Sequence, residues 1–150
     1  MHFIIGSDHR GFKLKQALLG WFKERGIDAE DAGGHSKDAG DDYPDVALAV
    51  AEKVASSGDS RGILLCGSGA GVDMVANKVK GVRSALVFNE KVARQAREHE
   101  DANVISLPAD WIDEEEAKHI VDAWMSAAFT GEDRHVRRLK KMSSIEQMQG

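Results

Sequence analysis

The 150-residue sequence has little of several features that mark particular classes of protein. Its single cysteine, Cys66, cannot form an internal disulfide, and no cysteine cluster is present to hold a structural zinc ion. No apolar run approaches the roughly 20 residues that a membrane span needs, and the first residues lack the basic and apolar regions of a signal peptide. We therefore expect a protein of the reducing cytoplasm with no membrane-spanning segment.

An excess of positive charge is also missing. The formal net charge is −5, which disfavours a general nucleic-acid or membrane-surface binder. Hydrophobic residues make up 42% of the chain and charged residues 30%, a balance typical of one folded domain over residues 1–150. Basic residues crowd only near the C-terminus, at Arg134, His135, Arg137, Arg138, Lys140 and Lys141. This cluster is either a solvated helix face or a local site for a small phosphate.

Hydrophobic periodicity predicts five β–α units followed by a C-terminal helix. The strands are expected at 3–7, 27–32, up to residue 66, 82–88 and 103–107, with helices after each strand and a last helix over 132–148. This order indicates a three-layer Rossmann-like α/β fold, in which helices cover both faces of a five-stranded parallel sheet. The last helix has few positions that could pack on the sheet, so we expect it to extend to a partner subunit.

The stretch from Ile63 to Asn77 carries the strongest functional signal. A short apolar run, typical of a buried strand, leads to three glycines in five positions and then to a segment of helical composition. Such a loop exposes backbone N–H groups that stabilise an anion. Cys66 lies where the strand gives way to the loop, and this edge of an open α/β sheet is where ligands bind.

Two more segments are expected at the same edge: Asp8–His9 after the first strand, and His99 near the end of the helix before the fifth strand. Each residue also has a structural interpretation. A lone cysteine such as Cys66 is commonly a small buried hydrophobic residue, Asp8 could cap a helix, and His99 could lie on the surface at a helix C-terminus. Their joint placement at loop ends favours function.

Four segments together resemble the type B ribose-5-phosphate isomerases, a family that includes galactose-6-phosphate and allose-6-phosphate isomerases. They are Ile5–Lys15, Cys66–Gly71, Ala76–Arg83 and Asp101–Val104. The similarity continues to the segment Arg134–Arg138 and so covers nearly the whole chain. Any one of these motifs is weak evidence, but their combination in this order is specific.

The resemblance implies an aldose–ketose isomerase that acts on a sugar phosphate without a cofactor or metal. Cys66 would be the base that removes the carbon 2 proton, because the thiolate is the reactive form of cysteine and a helix N-terminus favours negative charge. Backbone N–H groups of Gly67, Gly69, Ala70 and Gly71 would stabilise the enediolate. Ser68 matches the hydroxyl that passes a proton between oxygens, and His99 matches the acid/base that opens the sugar ring.

The same resemblance implies the binding residues. Asp8 and His9 would hold sugar hydroxyls, and Tyr43 would line the pocket. Arg134 and Arg138 would bind the phosphate, in this family typically from the neighbouring subunit, with His135 beside them. The implied assembly is a homodimer with a shared active site, and whether dimers pair into tetramers is left open.

Three positions depart from the family pattern or need a choice. Glu100 replaces a common Asn after His99, and Asp110 replaces a common Arg after the fifth strand. Both bear on specificity, so a tetrose or hexose phosphate, such as allose or galactose 6-phosphate, is the alternative to ribose 5-phosphate. Val72 stands where some members carry a catalytic Glu, which leaves Cys66 as the base.

The sequence disfavours two other classes of protein. A nucleotide-binding or flavodoxin-like module is disfavoured, because the spacing Gly67-x-Gly69-x-Gly71 differs from Gly-x-Gly-x-x-Gly. A non-catalytic subunit of a heteromeric isomerase would be expected to lack the base or the ring-opening residue, and both Cys66 and His99 are present.

Overall fold

Five parallel strands form the middle layer of the protein, in the spatial order β2-β1-β3-β5-β4. They are β1 (His2–Ser7), β2 (Ala29–Gly33), β3 (Ser60–Cys66), β4 (Ser84–Leu86) and β5 (Val104–Pro108). The helices are α1 (Phe12–Glu24), α2 (Tyr43–Ser56), α3 (Ala70–Ala76), α4 (Glu90–Glu100), α5 (Glu114–Ser126) and α6 (Asp133–Gln149). This computed structural model describes residues 1–34 and 40–150, and it confirms the predicted α/β fold with a five-stranded parallel sheet.

The two faces of the sheet carry separate hydrophobic cores. Alternate residues of each strand point to opposite faces, so Ile5, Ile63 and Ile105 pack with α1, α4 and α5, whereas Ile4 and Leu64 pack with α2 and α3. All five isoleucine and leucine side chains are buried. Because both faces are covered, the central strands β1, β3 and β5 contain continuous apolar stretches, as expected for a parallel sheet, whereas the edge strand β2 does not.

The strand order places a crevice between β1 and β3. The connection from β1 leads to one side of the sheet, to β2, while the connection from β3 leads to the other side, to β4. Because the connections after β1 and β3 leave in opposite directions, a gap forms at the carboxyl ends of these two strands. Ligands of open α/β folds bind in such a gap. The residues that follow these two strands are Asp8 and Gly67.

Two local predictions turned out differently in length. The sequence pattern predicted that the helix after the glycine loop ends near Lys80–Gly81, but α3 ends at Ala76. The reason is Asn77, whose side-chain amide accepts a hydrogen bond from the Ser84 backbone N–H (2.8 Å) and donates one to the Ser84 carbonyl (2.9 Å). These bonds draw the chain out of the helix and toward β4. The second prediction, a strand over 82–88, was too long, since β4 spans only Ser84–Leu86.

Helix α6 makes few contacts with the rest of its own chain. Its only buried residue is His135, and its side chains Met142, Ile145 and Met148 are 44%, 57% and 80% exposed. The C-terminal half of α6 lies beside a groove of about 840 Å³, where Glu146 accepts a hydrogen bond from the Gly81 backbone N–H (2.9 Å). An apolar side of α6 is therefore left uncovered in the single chain.

In the described part of the chain, no helix combines the length and the hydrophobicity that crossing a membrane requires.

Candidate active site

The loop after β3 wraps around the sulfur of Cys66. The cysteine side chain is buried, and its Sγ accepts a hydrogen bond from the Gly69 backbone N–H at 3.2 Å. Gly69 has φ +76°, a left-handed conformation that glycine adopts without strain and that turns the chain back toward the sulfur. Ser68 is exposed, and its Oγ accepts a hydrogen bond from the Ala70 N–H at 3.2 Å. The loop thus presents a thiol, a hydroxyl and several backbone N–H groups at one place.

Across the crevice, Asp8 and His9 follow β1. One carboxylate oxygen of Asp8 accepts hydrogen bonds from the backbone N–H groups of Arg10 (3.0 Å) and Gly11 (3.1 Å). Asp8 therefore holds the turn that leads into α1, whose N-cap is Gly11, and does not itself cap the helix. The His9 ring nitrogen Nδ1 lies 2.8 Å from Oδ1 of Asp41, a residue that the sequence analysis did not single out. Both side chains lie at the carboxyl edge of the sheet, beside the glycine loop.

Tyr43, the first residue of α2, completes this edge of the site. A methyl group at Gly71 would lie 2.5 Å from the Tyr43 ring, so the ring packs directly on the glycine loop. The ring is 40% exposed and can face a ligand as well as the loop. The structure therefore places Tyr43 against the glycine loop, at the same edge of the sheet as Asp8 and His9.

The ion pair between Arg10 and Asp110 was not predicted. The Arg10 guanidinium donates a hydrogen bond to the Asp110 carboxylate and lies against Gly67. The Asp110 backbone N–H donates to the Gly67 carbonyl (3.0 Å), and the Ala109 N–H donates to the Cys66 carbonyl (2.9 Å). The Asp110 carboxylate, which replaces a common Arg of the family, is therefore paired with a cation.

A polar cluster supports α3 from below the loop. Ser84 donates a hydrogen bond to the Asp73 carboxylate (2.6 Å), and the Ser84 and Ser106 hydroxyls lie 3.1 Å apart. Burial raises the pKa of the Asp73 carboxyl, and the hydrogen bonds from the two serines oppose that shift. This cluster connects α3, whose first residues belong to the glycine loop, to strands β4 and β5.

His99 lies at the edge of the sheet opposite to the predicted one. Helix α4 runs antiparallel to the strands, so its last turn returns to the amino edge of the sheet, where the Arg83 side chain donates to the Glu100 carbonyl (2.9 Å). The first residue of β5, Val104, pairs with Gly62, and Cys66 is four residues further along β3, roughly 13 Å at 3.3 Å per residue. Within one chain, His99 and Cys66 are therefore at opposite edges.

At the amino edge, His99 stacks on His135 of α6. The two ring centroids are 4.4 Å apart, and the planes differ by 16°. Burial lowers the pKa of His135, and the charges of His99, Arg134 and Arg138 lower it further, while Glu132 opposes them. His135 is 3% exposed, and its buried Nε2 has no hydrogen-bond partner among the residues described.

The two arginines expected to bind phosphate lie in the same region. Arg134 is exposed and forms an ion pair with Glu132 (3.0 Å), and Arg138 lies one turn further along α6, also exposed. Glu100 is an exposed neighbour of His99. The structure therefore places the predicted site residues at two edges of the sheet. Asp8, His9, Tyr43 and the loop from Cys66 to Gly71 lie at one edge, and His99, Arg134, His135 and Arg138 lie at the other.

In residues 1–34 and 40–150, no group of three or more His, Cys, Asp or Glu side chains is arranged to hold a metal ion.

Comparison with known proteins identifies the family. The model of the ribose/galactose isomerase family matches residues 3–142. The chain is 44% identical to the probable ribose-5-phosphate isomerase B of Mycoplasma genitalium, over 97% of this chain and 95% of that protein. It is 39% identical to ribose-5-phosphate isomerase B of Escherichia coli, over 95% of each.

Solved structures agree with the sequence comparison. The ribose-5-phosphate isomerase B of Clostridium thermocellum superposes with a TM-score of 0.95 at 42% identity, over the full length of both chains. The Mycoplasma genitalium isomerase B with bound ribulose-5-phosphate superposes with a TM-score of 0.94 at 44% identity, over 97% of this chain and 96% of that one. The chain therefore belongs to the ribose/galactose isomerase family.

Proposed function

We propose that this protein interconverts ribose 5-phosphate and ribulose 5-phosphate without a cofactor, in an active site shared by two copies of the chain. The observation that carries the proposal is the match to the Mycoplasma genitalium structure with bound ribulose-5-phosphate, which extends over nearly the whole of both chains. The side chains that the reaction needs are present at the two edges of the sheet. The free thiol of Cys66 suits the cytoplasm, where thiols stay reduced.

The chemistry at the carboxyl edge is proton transfer. The Cys66 thiolate takes the proton from carbon 2, the electrons of that bond form the carbon–carbon double bond, and the carbonyl oxygen becomes an enediolate oxygen. The N–H groups of the loop stabilise this negative charge. The Ser68 hydroxyl passes a proton from the oxygen on carbon 2 to the oxygen on carbon 1. Cys66 then returns its proton to carbon 1, which leaves the ketose.

The same edge holds the sugar. Asp8 and His9 bind sugar hydroxyls, and the Asp41 carboxylate orients the His9 ring through the bond at 2.8 Å. Tyr43 forms the wall of the pocket beside Gly71. Hydrogen bonds from rigid positions of this kind place carbon 2 against the sulfur, and such orientation is a large part of the rate enhancement of an enzyme.

The second copy of the chain supplies the remaining groups. His99 opens the furanose ring, and Arg134 and Arg138 bind the phosphate, to which the guanidinium offers paired donors. Since one chain holds these groups at the edge opposite to Cys66, a site complete in itself does not form within the monomer. The uncovered side of α6, with Met142 and Ile145 exposed, is the surface that we expect to pack on the partner.

Apolar side chains also surround the carboxyl edge. Trp111 is 77% exposed and follows β5, Phe88 is 55% exposed and follows β4, and Met74 is 67% exposed on α3. Large exposed apolar groups beside a site commonly mark an interface. A homodimer that packs α6 of one copy against this edge of the other covers both surfaces and brings His99 and Cys66 together.

A different aldose phosphate is the second candidate substrate. Two departures from the family pattern favoured it, but Asp110 is neutralised by Arg10 and no longer argues against a pentose phosphate. Glu100 remains as a departure that favours another substrate, because it enters the proposed shared site together with its neighbour His99. Tetrose and hexose phosphates therefore belong in the substrate panel.

The test is turnover of ribose 5-phosphate by the purified protein, with no metal or nucleotide added, beside the Cys66→Ala variant. We expect the wild type to be active and the variant to lose a hundredfold or more in kcat, about 2.7 kcal/mol of barrier. An inactive wild type that does turn over a four- or six-carbon aldose phosphate would move the assignment to that substrate. A variant as active as the wild type would remove Cys66 from the role of base.

A further inference from the structure

The ion pair of Arg10 with Asp110 connects three segments that meet at the glycine loop. Arg10 lies in the turn before α1, Asp110 lies after β5, and the guanidinium lies against Gly67, next to Cys66. A methyl group at Gly67 would lie 2.6 Å from the guanidinium carbon and 2.8 Å from Nη1, so the guanidinium occupies the space that a side chain would fill. The glycine makes this close approach possible.

The other partner is fastened to the same loop by its backbone. The Asp110 N–H donates to the Gly67 carbonyl at 3.0 Å, and the Ala109 N–H donates to the Cys66 carbonyl at 2.9 Å. The peptide groups that precede and follow Gly67 are thus held from one side by the segment after β5 and from the other by Arg10. The carboxylate of Asp110 accepts a hydrogen bond from the Arg10 guanidinium and so orients it against Gly67.

We propose that Arg10 is a positioning residue for the glycine loop and, through Asp110, a determinant of how well the site accepts an anionic substrate. The planar guanidinium braces Gly67, so the backbone N–H groups that stabilise the enediolate keep their orientation. Its charge also neutralises Asp110, which would otherwise repel the phosphorylated sugar. This inference rests on the isomerase function proposed above.

An ordinary surface ion pair would not do this. Exposed pairs contribute little to stability, and this pair is not deeply buried, since its side chains are 56% and 33% exposed. The difference lies in what the pair touches. The pair holds the backbone of Gly67 in place and contributes little to the free energy of unfolding. Removal of Arg10 is therefore expected to change the kinetics more than the stability.

The molecule contains a matched control. Arg25, at the C-terminal end of the same helix, pairs with Asp122 of α5 at 3.1 Å, with side chains that are 43% and 48% exposed. This pair resembles the first in chemistry and exposure but lies at the other end of α1. The Arg25→Ala variant therefore reports what the loss of an exposed arginine flanking α1 does away from the glycine loop.

The two roles of Arg10 separate in kinetics. We expect Arg10→Ala to lower kcat about tenfold, since small displacements of catalytic groups are costly, and to raise KM several-fold through the freed Asp110 carboxylate. Arg10→Lys keeps the charge but not the planar group, so it restores KM and leaves kcat low. The double variant Arg10→Ala with Asp110→Asn likewise restores KM alone, and Arg25→Ala stays within about twofold of the wild type.

The measurement is kcat and KM of these variants on the aldose phosphate that the wild type uses best, together with amide hydrogen exchange over residues 63–75. Faster exchange in Arg10→Ala, but not in Arg25→Ala, is the expected result. Equal kinetics and exchange in these two variants would overturn the proposal, as would a double variant that recovers the wild-type kcat. If the wild type converts no aldose phosphate, the isomerase function fails, while the exchange comparison still decides whether Arg10 braces the loop.

Discussion

The His99 ring stacks on the His135 ring, with 4.4 Å between centroids and 16° between planes, and this contact anchors α6 to the body of its own chain. His135 is the only buried residue of that 17-residue helix. The stacking contact therefore holds the proposed ring-opening group, His99, next to the start of α6, where the arginines proposed to bind phosphate lie. A change at His135 is expected to disturb both functions at once.

Replacement of His135 should lower activity through His99. We expect His135→Ala to reduce kcat/KM about tenfold or more, because His99 loses the ring that holds it and the start of α6 loses its anchor. His135→Phe keeps a stacking ring and should fall less. The matched control is His119→Ala, since His119 is 67% exposed on α5 and should leave kcat/KM within about twofold. Equal losses in the alanine and phenylalanine variants would show that stacking is not what matters.

The lowered pKa of His135 makes a prediction about stability and pH. Burial is its largest cause, followed by the charge of His99. The unfolded chain takes up a proton near the ordinary value of 6.5 and the folded chain resists it, so the free energy of unfolding should fall as the pH drops below about 6.5. In His135→Phe this part of the pH dependence should disappear.

His2 provides the opposite case and so an internal check. The hydrogen bond that the His2 ring donates to the Asp28 carboxylate raises the pKa of His2, so its contribution to stability is present below pH 6.5 and is lost as the pH rises through the folded pKa. Urea unfolding of the wild type, His135→Phe and His2→Phe between pH 5 and 8 would measure both effects. Parallel curves for the wild type and His135→Phe would contradict the prediction for His135.

A shared active site predicts that two inactive variants restore each other. Chains with Cys66→Ala and chains with His99→Ala are unfolded together and refolded. Half of the dimers should be hybrids, and in each hybrid one of the two sites combines an intact Cys66 with an intact His99. The mixture should therefore recover about one quarter of the wild-type activity for an isologous dimer.

The control for this mixing experiment uses two residues of the same edge. Cys66 and Ser68 lie at the same edge of the same chain, so each site needs both from one copy. A mixture of Cys66→Ala and Ser68→Ala chains should therefore show no recovery. Recovery in this control, or none in the mixture of Cys66→Ala and His99→Ala, would argue against a site divided between subunits as described.

Much of the fold was predictable because its signals are local. Alternating and periodic apolar residues locate the strands and helices, and the pair Asp113 and Glu116 predicts the capping box that the structure confirms at the start of α5. The end of α3 was not predictable, since it depends on the hydrogen bonds of Asn77 with Ser84. The spatial order of the strands likewise depends on tertiary pairing that no local pattern records.

The candidate site was predictable only in part. Asp8 follows one parallel strand and Cys66 ends another, and that alone places them at one edge of the sheet. His99 ends a helix that runs against the strands, so the same reasoning should have placed it at the opposite edge. The contact between Arg10 and Asp110 joins residues 100 positions apart, and neither residue carries a signal of the other in the sequence.

The buried cation Lys15 gives the last prediction. Its side chain is fully buried in α1, and Nζ donates hydrogen bonds to Asp31 (2.7 Å), the Gly33 carbonyl (2.9 Å) and the Gly34 carbonyl (2.6 Å). All three donors are therefore used, and all three acceptors lie at the end of β2. Such an ammonium is tolerated in the interior only because these partners replace its water.

Lys15→Met removes the charge but keeps most of the side-chain volume. We expect it to lower the free energy of unfolding by about 1–3 kcal/mol, since the Gly33 and Gly34 carbonyls lose their donor and Asp31 loses its cation, while Asp31 keeps the Gly33 N–H. Denaturant unfolding measures this, and Lys13→Met, at an exposed position of the same helix, should change it by less than about 0.5 kcal/mol. If the two variants were equally stable, the hydrogen bonds of Lys15 would do no more than offset the cost of burying its charge.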